Sequence, residues 1–172
     1  MESSQNDANN LMQLGSIRPN IGLDINVRQQ VVEILKKSLV DEIILTLNTH
    51  FVYWNLSGAG IYDLRLLLDL QYKKLNEITD NIEERVRMLG GLTFNNFNEF
   101  QIQSSFADQL ESVSDINRLL SGHETLICGL RVSAKKVSEE YEDEGTFEFL
   151  VSLIRLHEKM DWMLGSFTKR NE

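Results

Sequence analysis

Only one proline occurs in this chain of 172 residues, and it lies near the start, at Pro19. Because proline interrupts the hydrogen bonding of a helix interior, the stretch from residue 20 onward can form long uninterrupted helices. Apolar residues recur there at helical spacing in four segments, at about 27–54, 61–89, 106–141 and from 146 onward. The sequence therefore predicts an all-α protein built as a four-helix bundle.

Two of these segments carry a clear apolar face. In the second helix an aliphatic residue recurs every seven positions, the period of a bundle, at Leu68, Leu75, Ile82 and Leu89. In the first helix the expected buried face consists of Val32, Leu35, Leu39, Ile43 and Leu47. Glycines at 58, 60, 90 and 91 mark the loops on either side of the second helix.

The chain divides into one folded unit and two short tails. We predict a polar N-terminal tail at residues 1–22, the bundle at 23–168 and a C-terminal tail at 169–172. No apolar run approaches the roughly 18 residues that span a bilayer, and the first ten residues lack the apolar segment of a secretory signal. The single cysteine, Cys128, forms no internal disulfide. We therefore expect a cytoplasmic protein with no membrane contact.

The net charge of −9 bears on possible partners. It argues against nonspecific nucleic-acid binding, which needs clustered lysine and arginine to neutralise phosphates. The first 18 residues contain two acids and only Arg18, and Lys169–Arg170 is a small basic cluster. DNA binding is expected to be weak or absent, whereas acids that line a confined surface attract cations.

Three carboxylates on the second helix have the spacing of a metal site. Asp69, Asp80 and Glu84 fall on one face together with Arg65. Asp69 and Asp80 are nevertheless about 16 Å apart along the helix axis, whereas metal–oxygen bonds measure about 2 Å. A shared ion therefore requires a second copy of the helix, antiparallel across a two-fold axis. The alternative is a solvated charged face on which Arg65 and Asp69 form an i,i+4 ion pair.

Several runs of the sequence resemble the Dps family of mini-ferritins, over about residues 30–167. These runs are Trp54-Asn55-Leu56 with Gly58, Asp69, Asp80, Glu84-Arg85-Val86-Arg87, Leu89-Gly90-Gly91, Asp143-Glu144-Gly145-Thr146, His157-Glu158-Lys159-Met160 and Trp162-Met163-Leu164. The resemblance implies a ferritin-like bundle with a short extra helix between the second and third helices. It also implies a dodecameric hollow shell, built from two-fold dimers, that binds ferrous iron, oxidises it with peroxide or oxygen and stores the ferric product.

The family's iron site combines three carboxylates with two histidines. Asp69, Asp80 and Glu84 match the carboxylates, but the histidine positions hold Tyr53 and Arg65. Arginine cannot coordinate a metal, and a phenol loses its proton only at about pH 10, so Tyr53 is a weak ferrous ligand. The remaining oxygen donors suit harder ions, including magnesium, calcium and ferric iron.

Other residues have both a functional and a structural interpretation. Trp54 is either a radical-trapping ring or interface packing, and His50, one turn before Tyr53, is a ligand candidate whose side chain more commonly points elsewhere. The resemblance assigns a three-fold pore to Asp143, Glu144 and Glu148, although acids there also stabilise a helix N-terminus. His123 falls on the apolar stripe of the third helix and is expected in the core or an interface, and His157 is expected to be structural.

Two functions remain open from the sequence. The first is an iron-oxidising cage with a modified intersubunit site, a ferroxidase-like oxidoreductase that protects against oxidative damage. The second is a Dps-like shell with a degenerate, inactive site that sequesters metal or serves as a structural or DNA-protecting assembly. A mixed shell, formed with a sister subunit that carries the histidines, is a variant of the second.

Overall fold

The computed structural model describes residues 19–58, 60–94 and 116–168. They form four helices and no strand: α1 (Ile25–Asn55), α2 (Ile61–Met88), α3 (Ile116–Tyr141) and α4 (Glu144–Gly165). The all-α, four-helix prediction is confirmed. The extra helix predicted between α2 and α3, and positions 106–115 of the third predicted helix, lie outside the described residues. So do positions 1–18 and 169–172 of the tails.

At the start of α1, Asp24 caps the helix by accepting a hydrogen bond from the Asn26 amide at 2.8 Å.

Two glycines shape the connection between α1 and α2. The chain leaves α1 at Leu56 in an extended conformation, and Gly58 and Gly60 then adopt φ values of 112° and 79°. Only glycine reaches such values without strain. This short loop makes α1 and α2 antiparallel neighbours.

At the far end of this hairpin, hydrogen bonds to backbone carbonyls end α2 and connect it to α1. Gly90 has a φ of 85°, and the Gly91 amide donates to the Val86 carbonyl at 3.0 Å, as in a glycine-ended helix. Arg28, near the start of α1, donates through Nη1 to the Leu89 carbonyl at 3.0 Å. The start of α1 is thereby tied to the end of α2.

Only Glu142 and Asp143 separate α3 from α4. Glu142 adopts a left-handed φ of 50°, and the Asp143 side chain caps α4 by accepting from the Thr146 amide at 3.0 Å. Because the cap precedes Glu144, α4 begins there, two residues earlier than the sequence pattern indicated.

The core lies where the two hairpins meet. α1 packs along α2 and α3 along α4, α1 also contacts α3, and α2 touches α4 at few points. The seven-residue repeat of α2 is fully buried, as predicted, at Leu68, Leu75, Ile82 and Leu89. The prediction for Leu47 was wrong, since its side chain is 48% exposed. It lies eight residues beyond the buried Leu39, which rotates it by about 80° around the helix.

No helix among the described segments is long and apolar enough to cross a membrane.

Candidate metal centre

The predicted carboxylate ligands lie on the outer side of α2. Asp69 is half-exposed, and Asp80 and Glu84 are exposed. Neither Asp80 nor Glu84 has a hydrogen-bond or ion-pair partner among the described residues. Two unpaired carboxylates one helical turn apart are therefore free to meet a cation or a second molecule.

Arg65 stacks on the end of α1. Its guanidinium carbon lies 5.0 Å from the centre of the Tyr53 ring and 5.7 Å from the centre of the Trp54 ring. The two rings are themselves perpendicular, with centres 5.2 Å apart. Cation–π attraction to these faces holds the arginine against α1. Tyr53 and Arg65, the two positions at which the sequence predicts a replaced histidine, are thus in contact with each other.

This arrangement leaves Arg65 with unused donors. Its Nε is buried and has no hydrogen-bond partner among the residues that the structure describes, and a guanidinium carries five N–H donors in a fixed plane. The charge is permanent, since arginine stays protonated at any physiological pH. A fixed cation here weakens the binding of a metal ion and favours the approach of a carboxylate.

Asp69 is engaged by a neighbour on its own helix. Lys73 Nζ donates to Asp69 Oδ2 at 2.7 Å, an i,i+4 pair at the surface. The hydrogen bond and charge of Asp69 raise the pKa of Lys73, and Tyr53 adds to this rise. The Arg65–Asp69 pair considered from the sequence does not form. Asp69 instead pairs with Lys73, and Arg65 stacks on the aromatic rings of α1.

The side chain of His50, a residue of α1, points toward α2. Its ring centre is 5.0 Å from that of Tyr72 and 6.3 Å from that of Trp54. Trp54 is 61% exposed, so one of its faces is open to solvent or to another subunit. The sequence favoured a His50 side chain that points away from the metal site, and its role as a ligand stays open.

A single chain does not assemble a metal site from the described residues. No group of three His, Cys, Asp or Glu side chains is arranged to hold an ion anywhere in ranges 19–58, 60–94 and 116–168. This agrees with the axial separation of about 16 Å between Asp69 and Asp80. Any site made from these three carboxylates needs a second copy.

The three acids assigned to a pore differ in environment. Asp143 is 3% exposed, caps α4, and accepts from Arg85 Nη2 at 3.2 Å. Arg85 also donates through Nε to Thr146 Oγ1 at 3.0 Å. Glu144 and Glu148 are exposed. The carboxylate of Asp143 is therefore used within the chain, and the other two face outward.

A second collection of ionisable groups lies inside the bundle. Glu42 of α1, His123 of α3 and His157 of α4, here called the core trio, are between 0% and 1% exposed. His123 and His157 were expected to be structural or in the core, but Glu42 was missed. A signal was present, because Glu42 follows the apolar Leu35 and Leu39 by seven and three residues and so shares their face.

Comparison with known proteins identifies the family of the chain. A sequence profile of the Ferritin family, described as a ferritin-like domain, matches residues 32–171. The chain belongs to the ferritin-like family. An uncharacterized low temperature-induced protein of Nostoc sp. is 34% identical to this ferritin-like chain over 154 residues, with 87% of this chain and 86% of the relative covered.

Further relatives place this ferritin-like chain with the Dps mini-ferritins. DNA protection during starvation protein 2 of Bacillus anthracis is 23% identical and covers 82% of this chain and 98% of its own length. The solved structure of DpsC from Streptomyces coelicolor superposes with a TM-score of 0.83 at 26% identity, covering 93% of this chain and 95% of DpsC. The Dps resemblance is confirmed at the family level. The replacement of site histidines by Tyr53 and Arg65 stays a prediction.

Proposed function

We propose that this protein is a Dps-like homo-oligomeric cage that binds and stores iron and oxidises ferrous iron at an atypical site shared by two copies. The observation that carries the proposal is the pair of exposed, unpartnered carboxylates Asp80 and Glu84 on the same helix as Asp69. A Vibrio cholerae Dps, 24% identical, is described as a member of the ferritin-like diiron-carboxylate proteins, which supports an iron function. Peroxide or oxygen serves as oxidant, and removal of ferrous iron protects the cell from oxidative damage.

The site forms between two antiparallel α2 helices. A two-fold axis beside α2 brings Asp69 of one copy to Asp80 and Glu84 of the other, and the same contact repeats on the opposite side. Exposed apolar side chains on this part of the surface give the copies an interface to bury, namely Leu47, Phe51, Trp54, Tyr62, Leu66 and Leu70. Further copies complete the dodecameric shell that the Dps resemblance implies.

The donor set favours iron in its oxidised form. Three carboxylates without imidazole are hard oxygen ligands, which suit ferric iron, magnesium or calcium better than ferrous iron. Arg65 lowers cation affinity further through its fixed charge. The site therefore binds ferrous iron weakly and binds the ferric product more tightly. Magnesium and calcium are expected to compete for the same carboxylates.

Trp54 and the exposed acids of α4 have supporting roles. The exposed Trp54 ring contacts Arg65 and Tyr53 and is placed to reduce a stray radical formed beside the site. Glu144 and Glu148 concentrate ferrous ions at a three-fold entry by their negative charge. Asp143 holds the local backbone through its hydrogen bonds and contributes its charge from behind.

A second candidate is a shell whose intersubunit site is inactive. The observation that favours it is Arg65, a cation with a buried, unpartnered Nε on the face that carries the carboxylates. In this arrangement Arg65 pairs with Asp80 and Glu84 of a second copy and takes the place of a metal. Iron is then sequestered without catalysis, or oxidised by a sister subunit in a mixed shell.

The two candidates are separated by iron oxidation in matched variants. Anaerobic protein is mixed with ferrous iron, peroxide or oxygen is added, and ferric absorbance is followed. The double variant Asp80→Asn, Glu84→Gln should slow oxidation by about tenfold to a hundredfold, because ferric product loses its ligands. Glu83→Gln, a charge removal on another side of α2, is the control and should leave the rate unchanged.

The outcomes are distinct. A wild-type rate equal to that of a protein-free solution contradicts the oxidising site. A faster rate that the double variant shares equally with wild type supports sequestration with oxidation elsewhere. DNA binding is tested by gel retardation at low salt, where no retardation is expected from a protein of net charge −9.

A further inference from the structure

The core trio connects three helices through buried side chains. His157 Nε2 lies 3.1 Å from Glu42 Oε2, and His157 Nδ1 lies 3.0 Å from His123 Nδ1. The ring centres of the two histidines are 5.3 Å apart. The chain of contacts therefore runs from α1 through α4 to α3.

The trio leaves polar atoms unused at both ends. Among the described residues, Glu42 Oε1, His123 Nε2 and His157 Nε2 are buried without a hydrogen-bond partner, so the 3.1 Å approach of His157 Nε2 to Glu42 Oε2 is a close contact and not a well-aligned hydrogen bond. Polar groups without partners are costly in an apolar core, and an added charge costs more. The geometry is not that of a metal centre, since no three ligands converge among the described residues. The trio is complete within one chain and needs no second copy.

Few other charges face the trio. The buried side chains of α2 include no titratable group, and His123 and His157 are the ones in the buried faces of α3 and α4. Asp161 lies one turn beyond His157, is half-buried and already has an interaction partner.

The remaining buried charges of α1 are placed away from the trio. Arg28 is about 21 Å from Glu42 along the helix axis, and Lys36 and Asp41 are rotated from Glu42 by about 100° or more. His157 is therefore the ionisable neighbour of His123, and Glu42 lies on the other side of His157.

Protonation of the buried His123 imidazole is unfavourable in the folded chain. Burial, and then the nearby His157, lower the pKa of His123 to about 3 from an ordinary value of 6.5. Between these two values the unfolded chain binds a proton that the folded chain refuses. Acid in this range therefore favours unfolding, and the effect is absent above about pH 6.5.

We propose that Glu42, His157 and His123 form an acid-sensitive latch, which ties α3 and α4 to α1 at neutral pH and opens the bundle as the pH falls. The latch opens because a charged His123 imidazole needs solvent, and solvent reaches it only when α3 moves away from α1 and α4. It is independent of iron and of the intersubunit site.

The test compares full-length wild type with His123→Asn in urea unfolding at a series of pH values from 7.5 to about 4. Asparagine keeps a hydrogen-bonding group near the position of Nδ1 but does not titrate. Relative to the variant, the unfolding constant of wild type should rise by about tenfold for each pH unit below 6.5. His50→Asn removes a half-exposed histidine from the same protein and should run close to wild type. Parallel pH profiles for wild type and His123→Asn would overturn the proposal.

Connectivity is tested by a double-mutant cycle with Glu42→Gln. If the contacts act as one chain, the combined effect of Glu42→Gln and His123→Asn on the unfolding constant should depart from the product of the single effects by about threefold or more. Multiplicative effects contradict the latch. If a variant does not fold, NMR of the wild-type imidazoles decides instead. His123 should stay neutral down to about pH 4, and a titration near 6.5 refutes the proposal.

Discussion

This protein gathers ionisable side chains in two places that differ in nearly every physical respect. The carboxylate face, made of Asp69, Asp80 and Glu84 with Arg65, is open to solvent and incomplete in one chain. The core trio is between 0% and 1% exposed and complete in one chain. The face as defined here contains no histidine, whereas the core trio contains two, and no ligand set converges there among the described residues.

The difference separates chemistry from stability. Charges on the face are screened by water, so their mutual interactions contribute little to folding and their partners can be exchanged for a metal or a second subunit. Ionisable groups in the core are cut off from solvent, so adding a charge there or removing a contact is costly. Substitutions on the face should alter oxidation and leave unfolding nearly unchanged. Substitutions in the trio should do the reverse.

The largest expected effect lies in the trio. Glu42→Ala removes the carboxylate beside His157 and leaves a buried imidazole without it. The loss of this buried polar contact and the cavity left by the side chain together cost about 3–5 kcal/mol of unfolding free energy. Urea unfolding at pH 7 measures it.

Glu33→Ala is the matched control on the same helix. Glu33 is exposed and lies 3.9 Å from Lys36, so its loss should cost no more than about 1 kcal/mol. Equal costs at the two positions would mean that the burial of Glu42 adds nothing to its contribution to stability.

The sequence predicted the helices well because helices depend on local pattern. The signals used were local, because each affects only the conformation of neighbouring residues. They are the lone Pro19, the seven-residue repeat of α2 and the glycines at 58, 60, 90 and 91. The core trio was not predicted, since His123 and His157 are 34 positions apart and meet only through the register of two packed helices. The same limit hid the stack of Arg65 on Tyr53, which depends on how the α1–α2 hairpin closes.

Asp143 is a third case, a buried acid that belongs to neither the carboxylate face nor the core trio. It was predicted with the exposed pore acids, yet it is buried and bonded to Thr146 and Arg85. Asp143→Ala removes a helix cap and a partly buried ion pair, and should cost about 2–3 kcal/mol in urea unfolding.

Glu144→Ala serves as the comparison, because Glu144 is exposed at the next position. Its loss should change stability by about 0.5 kcal/mol or less. If Asp143→Ala is equally mild, the buried cap contributes no more than an exposed acid does.

Arg65→His should produce the largest gain in chemistry. The substitution replaces a fixed cation by an imidazole, a good ferrous ligand, on the face that carries three carboxylates. Ferrous oxidation should accelerate by roughly tenfold, whereas loss of the stacking on Tyr53 and Trp54 costs only about 0.5–1 kcal/mol of stability. Arg87→His, on the same helix, is the control and should not accelerate oxidation. An unchanged rate in Arg65→His argues that the carboxylates do not meet across an interface.

The smallest expected effect concerns Lys73, which forms an ion pair with Asp69. Lys73→Gln breaks an exposed ion pair, so the unfolding free energy should stay nearly unchanged. The freed carboxylate becomes available to a metal ion, and oxidation should rise by about twofold to threefold at low salt, less at high salt because the competition is electrostatic. Lys74→Gln breaks the comparable pair with Glu77 on another side of α2 and should leave oxidation unchanged. Equal rises in both variants would mean that net charge, rather than access to Asp69, limits iron binding at this face.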